Sequence, residues 1–218
     1  MIRISCLQFF APAAVALFFA TTLSAQVQDG PPARTVRASK AEVVAMAVSP
    51  KGDHLLLGLN KGAEVIDLES GKKIFSLSYN EDGGTAVYHV AFNDNGEYVV
   101  LIGHSGKRVV YDVKTGKPEP SLAQHRWVPD PRAVKALGLE MSNSAFDRFY
   151  QQNELTHRDH TVRSVKNGSI ECVLDGKVVR VLECPENKDQ HHRAPLLIWQ
   201  DWLLAGTDDG RVLFYALR

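Results

Sequence analysis

Cysteine is scarce in this chain, three in 218 residues, and Cys6 stands ahead of the first apolar stretch. Only Cys172 and Cys184 remain for a folded domain, so a framework of disulfides is excluded as the source of its stability. Net charge is also lacking, because Lys plus Arg and Asp plus Glu both number 25. Without a basic or acidic field, neither a nucleic acid nor an anionic membrane is an expected partner. The Gly-rich phosphate cradle, the Walker sequence, His-Glu-x-x-His and the activated-nucleophile motifs are absent as well, which removes the commonest nucleotide-dependent and hydrolytic chemistries as motif-based readings. Asp208-Asp209-Gly210 is not followed by the further oxygen ligands of a calcium loop and reads as a turn.

The longest apolar stretch, Leu7 to Ala20, is interrupted by Gln8 and Pro12 and falls short of the ~20 apolar residues of a membrane span. Preceded by Arg3 and followed by Thr21-Thr22-Leu23-Ser24-Ala25, it has the three regions of a secretory leader. Residues 1–25 are therefore expected to be a cleaved signal peptide, with the mature chain periplasmic or extracellular and without an integral membrane segment. Residues 26–33 read as a linker. In such a compartment Cys172 and Cys184 have the opportunity to pair. If Asp175-Gly176 is a two-residue hairpin turn, Cys172 opposes Val179 and Cys184 projects from the other face, so a bridge requires a bend near Pro185. The pairing stays open.

What is abundant is repetition. Val48, Gly52, Leu57 and Gly62 return as Phe92, Gly96, Leu101 and Gly106, 44 positions on, and Asp67, Gly71 and Lys72 return as Asp112, Gly116 and Lys117, 45 positions on. A period of ~40–45 residues with several short strands per unit is that of a β-propeller blade. Ser49-Pro50-Lys51-Gly52 and Asn93-Asp94-Asn95-Gly96 supply turns, and the segments around them alternate with period two. Asn167-Gly168 with Asp175-Gly176-Lys177, and then Asp208-Asp209-Gly210, extend the frame to four units, the third longer by about 18 residues. The last unit is one strand short, and Arg34-Thr35-Val36-Arg37-Ala38 is the segment expected to complete it. In the third unit Glu171 is expected to face Arg180. The expectation is an all-β fold, a small propeller of four blades at about 41–79, 86–123, 133–183 with an insertion, and 195–218 plus 34–38, closed by the N-terminal strand.

Through Ser49-Pro50-Lys51-Gly52, Tyr111-Asp112 with Thr115-Gly116-Lys117, and Leu204-Ala205-Gly206-Thr207-Asp208-Asp209-Gly210-Arg211, the chain resembles the WD40-like and YVTN-like β-propeller repeats. It departs from them in lacking the opening Gly-His pair, in having Ile66-Asp67 for Trp-Asp, and in having four units where seven are typical. The resemblance implies a binding scaffold, for a protein or small ligand, more often than an enzyme; from the residues themselves no cofactor or metal is expected.

Most candidate binding residues fall in the excursion from about Arg126 to His160, between the second unit and the second strand of the third. Trp127, Phe146, Phe149 and Tyr150 either cover the side of an imperfect blade or wall an aromatic pocket at one end of the ring. His157, Asp159 and His160 form a His-x-Asp-His cluster without a recognised metal-ligand spacing, and His89 occupies an inner-strand position suited to a core histidine or to proton transfer. No catalytic residue is assigned. Two further readings stand beside the scaffold. One is a hydrolase or lyase using these His and Asp side chains, and the other is an incomplete propeller that functions as a homodimer instead of a monomer.

Overall fold

The computed structural model describes residues 30–81, 84–103, 105–129, 153–165, 169–184 and 195–217. They form fifteen strands: β1 Arg34–Arg37, β2 Val43–Val48, β3 His54–Leu59, β4 Ala63–Asp67, β5 Lys73–Leu77, β6 Val87–Phe92, β7 Tyr98–Gly103, β8 Arg108–Asp112, β9 Glu154–His157, β10 His160–Ser164, β11 Ile170–Leu174, β12 Lys177–Leu182, β13 Leu196–Trp199, β14 Trp202–Gly206 and β15 Arg211–Ala216. A single 3-10 turn spans Pro120–Leu122. The strands make four antiparallel sheets: the first is β2-β3-β4-β5, the second β6-β7-β8, the third β9-β10-β11-β12 and the fourth β13-β14-β15-β1.

Both faces of the central strands are apolar because each central sheet is packed between two others. Leu55, Leu57 and Leu59 of β3 join Leu204, Val212 and Phe214 in a cluster between the first and fourth sheets. Leu56, on the opposite face of β3, packs with Val90, Val99 and Leu101 of the second sheet. Leu213 and Tyr215 of β15 meet Val162, Ile170 and Cys172 of the third sheet. The packing order is thus second, first, fourth, third. Among the described residues no fourth cluster joins the third sheet back to the second; the outer face of the second, Val100, Ile102 and Val110, is covered by Leu122, Trp127 and Val128. Gly58 sets the spacing between the first and second sheets, since a Cβ there would lie 2.7 Å from the Val87 carbonyl oxygen.

The repeated Asp has a physical cause. Asp67 Oδ1 accepts hydrogen bonds from the backbone N–H and hydroxyl of Ser70, both at 2.6 Å, and Asp112 Oδ1 accepts the same pair from Thr115 at 2.7 and 2.9 Å. Each carboxylate closes the turn ahead of a left-handed glycine, Gly71 or Gly116. The bonds from Ser70 and Thr115 hold both Asp pKa values below the ordinary 3.8.

The N-terminal segment completes the last sheet as expected. β1 pairs antiparallel with β15, Arg34 opposite Phe214 and Arg37 opposite Arg211. Arg34 also ties this strand to the first sheet: its guanidinium donates to the Leu68 carbonyl at 2.9 Å and to the Glu69 carbonyl, and lies 4.8 Å from the centre of the Phe214 ring. The third sheet departs from expectation in register. A bulge between Cys172 and Val173 places Cys172 opposite Arg180 and Glu171 opposite Val181, so the expected Glu171–Arg180 and Cys172–Val179 pairs do not form; an extra residue on one strand shifts every partner beyond it. Glu171 instead bridges Arg163 at 2.7 Å. Cys172 and Cys184 are both buried in the same apolar cluster rather than on opposite faces, and neither is in a disulfide.

Removing residues 26–40 is expected to expose the β15 edge and lower the melting temperature; an unchanged melting curve contradicts the role given to β1. The turn carboxylates predict an acid dependence. Their folded pKa values lie below the unfolded one, so their stabilisation is present above about pH 3.8 and is lost as pH falls through the folded values. Asp67→Ala with Asp112→Ala should therefore lower the urea midpoint at pH 6 and shrink the difference between pH 6 and pH 2.5, measured by circular dichroism.

Candidate functional site

The clearest recess lies where the β1–β2 connector crosses the ends of two sheets. Its position follows from the turns around it. Val43 at the start of β2 donates to the Thr207 carbonyl at 3.0 Å, the Asn60 N–H donates to the Glu42 carbonyl at 3.1 Å, and the Gly62 N–H donates to the Thr85 carbonyl at 2.8 Å. The β1–β2, β3–β4, β5–β6 and β14–β15 connections are therefore gathered at one end of the molecule. A cavity of about 620 Å³ opens among residues 37–42, Asn60, Lys61, Glu64, Lys73 and Asp208, within the ~300–1,000 Å³ usual for small-ligand sites.

The walls are held by backbone geometry. Ala38 and Ser39 donate their N–H groups to the Gly210 carbonyl at 3.1 and 3.0 Å. Gly210 has φ +82°, and a Cβ on it would sit 2.4 Å from the Ser39 carbonyl oxygen, so only glycine allows the connector to lie this close. Thr207 stiffens the same turn: its hydroxyl donates to Asp209 Oδ1 at 2.7 Å and accepts from the Arg211 N–H at 2.9 Å. Arg211, itself buried, donates from Nε to Asp209 at 2.7 Å, and Arg37 reaches the other Asp209 oxygen at 3.3 Å. Burial alone would raise the Asp209 pKa, but the bonds from Arg211 and Thr207 outweigh it and hold the carboxyl below its ordinary range.

The polar groups inside this frame are incompletely matched. Glu64, with a side chain only 12% exposed, meets Lys73 Nζ through Oε1 at 3.3 Å, while its Oε2 is buried and accepts no hydrogen bond from the protein. Asn60 Nδ2 makes a long contact of 3.5 Å to Glu42 Oε2, and Asn60 Oδ1 is likewise buried and without a protein donor. Buried acceptors left without donors are uncommon, and each costs about 1–3 kcal/mol. A second recess of about 510 Å³ lies at the opposite end, near Lys51, Asn95 and Lys114; neither of these two acceptors lines it.

Of the residues expected from sequence, the described ones do not line this recess. Trp127 packs against Val100, Ile102, Val110 and Val128 on the second sheet. Phe146, Phe149 and Tyr150 lie outside the described residues. His157, Asp159 and His160 form the β9–β10 turn, with His157 opposite His160; desolvation, then Arg158 and His160, lower the His157 pKa. His89 sits on β6 opposite Ile102, and burial lowers its pKa to about 4, which leaves the ring neutral at pH 7. Among the described residues no group of three or more His, Cys, Asp or Glu side chains is placed to hold a metal ion, and the recess at Glu64 contains neither His nor Cys. Sequence reading passed over Asn60 and Glu64. The available signal was a carboxylate at Glu64 inside the apolar run Ala63 to Ile66.

No family model and no curated protein matches this chain. Solved structures with a distant likeness include U3-55K, at 14% identity and TM-score 0.38 over 81% of this chain and 50% of that one. The WD40 repeats of RRP9 match at 13% identity and TM-score 0.39, over 83% of this chain and 50% of that one. A computationally designed protein, Ika8, matches at 18% identity and TM-score 0.31, over 80% and 45%. The chain spans about half the length of these structures.

Gly210→Ala is expected to destabilise the domain by about 1–3 kcal/mol through its left-handed backbone and the Ser39 contact, read as a lower urea midpoint. An unchanged midpoint would mean that the connector is not held as described.

Proposed function

We propose that this chain is a non-catalytic binding scaffold whose ligand enters the recess at the β1–β2 connector. The observation that carries the reading is the preformed recess of about 620 Å³, lined by Glu42, Asn60, Glu64 and Lys73 beside the cations Arg37, Lys40 and Lys61. Binding is favoured over catalysis because the lining offers carboxylates and ammonium groups but no His or Cys to serve as base or thiolate. In this reading the four sheets are propeller blades, β1 closes the last of them, and the connecting turns are the variable surface that a rigid scaffold carries. The leader pattern in residues 1–25 supports export to the periplasm or the cell exterior.

One observation favours assembly with a second copy. β12 is an edge strand on which Val178, Val179 and Val181 are 46–47% exposed, a feature that a partner strand would cover. Light scattering of residues 26–218 decides between the alternatives: a dimer mass that reverts to monomer in Val179→Lys supports this assembly, and a monomer mass in the unaltered chain removes it.

The scaffold reading is tested by a thermal-shift screen with amino acids, short peptides, sugars and nucleotides. At least one class should raise the melting temperature of the unaltered chain, lose that effect in Glu64→Leu, keep it in Lys114→Ala at the opposite recess, and be recovered chemically unchanged. Stabilisation that ignores Glu64, or turnover of the compound, contradicts the proposal.

A further inference from the structure

Cys172 and Cys184 are two thiols that the recess does not use. Both are buried, 0% and 4% exposed, in the apolar cluster that holds Ile170, Leu182, Leu213 and Tyr215. Their spacing is set by the β11–β12 ladder, in which Cys172 faces Arg180 and Ile170 faces Leu182. β12 therefore runs away from Cys172, and Cys184 stands four residues further along the chain than Arg180. At ~3.3 Å per extended residue that offset is about 13 Å, whereas a disulfide needs its Cα atoms within ~7 Å. The far end is also pinned: the Tyr215 hydroxyl donates to the Glu183 carbonyl at 2.9 Å, which holds the residue before Cys184 to β15. A bridge between these sulfurs thus requires β12 to leave its register on β11. In the unfolded chain nothing opposes the bridge, since only eleven residues separate the two cysteines and a loop of that size closes readily.

We propose that this pair makes the third sheet redox-sensitive: the dithiol chain keeps β12 on β11, the disulfide chain does not, and the two states exclude each other. The oxidant is itself a disulfide, small-molecule or protein. One cysteine thiolate attacks it to give a mixed disulfide, and the second cysteine displaces the remaining thiol; the two cysteines give up two electrons and two protons, and the oxidant leaves as two thiols. Burial shields both sulfurs from that attack while the sheet is closed, so oxidation proceeds from the opened or unfolded chain. In the exported setting that the leader pattern suggests, folding therefore competes with oxidation. β12 is the strand at stake because it is an edge strand, hydrogen-bonded within its sheet to β11 alone.

Refolding of residues 26–218 from urea tests this, once as the dithiol and once after treatment in urea with oxidised glutathione, the Cys172–Cys184 disulfide being identified by mass spectrometry. The dithiol chain should regain hydrogen-exchange protection at the amides of Val178 to Leu182, and once folded its cysteines should resist both iodoacetamide and oxidised glutathione. The disulfide chain should lose that protection and melt at a lower temperature, and dithiothreitol should restore both. Cys172→Ala with Cys184→Ala removes the sulfurs and should refold alike with or without the oxidant. Where that variant does not fold, reversal by dithiothreitol in the unaltered chain is the control. A disulfide that forms in the folded chain with protection of Val178 to Leu182 intact, or an oxidised chain that refolds to the melting temperature of the dithiol, overturns the proposal.

Discussion

The pairing of β1 with β15 places residues from the two ends of the described chain in one sheet, and Arg34 extends that join across to the turn after β4. The fourth sheet, so completed, packs on the first through Phe214, Val212 and Leu204 against Leu55, Leu57 and Ile66. A fully buried leucine in such a layer contributes roughly 1.5–3 kcal/mol, so this cluster is a large part of what resists separation of the first and fourth units. The recess depends on the same join, because its connector is the segment that leaves β1, crosses Gly210 and enters β2. Stability and binding geometry therefore rest on one piece of chain.

Repetition elsewhere is the repetition of a local solution. Asp67 with Ser70 and Asp112 with Thr115 close equivalent turns with the same pair of hydrogen bonds. β2 and β6 are both bulged, between Val43 and Ala45 and between Val87 and His89, which gives the two inner strands the same bend. Tyr79 locks the two units together: its hydroxyl accepts from the Gly103 N–H at 2.7 Å and lies 2.8 Å from the Lys107 carbonyl oxygen. The recess arises where the units differ. Position 64 is a carboxylate in the first unit, and the second has Arg108 at the matching place, 44 positions on.

Much of the strand framework was legible because turns announce themselves through Gly, Pro, Asn and Asp, and because alternation survives in β2, β3, β6 and β7. The role of β1 could be inferred from a missing strand in the last unit. Register in the third sheet could not be inferred, since no local pattern records the bulge between Cys172 and Val173, where Cys172 lies in the cluster with Leu213 and Tyr215. The recess was hidden for a related reason. Its groups come from residues 37–42, 60–64, 73 and 208, four stretches that only strand pairing brings together, whereas His157, Asp159 and His160 attracted notice by being adjacent in sequence and turned out to form a tight turn.

The central claim is that the first and fourth sheets behave as one body and hold the recess between their connections. Native-state hydrogen exchange tests it most directly. The account predicts that the amides of Leu55 to Leu57 in β3 and of Val212 to Phe214 in β15 exchange through a common opening, with the same dependence on denaturant. Two separate openings, with β15 released at lower denaturant than β3, would contradict it.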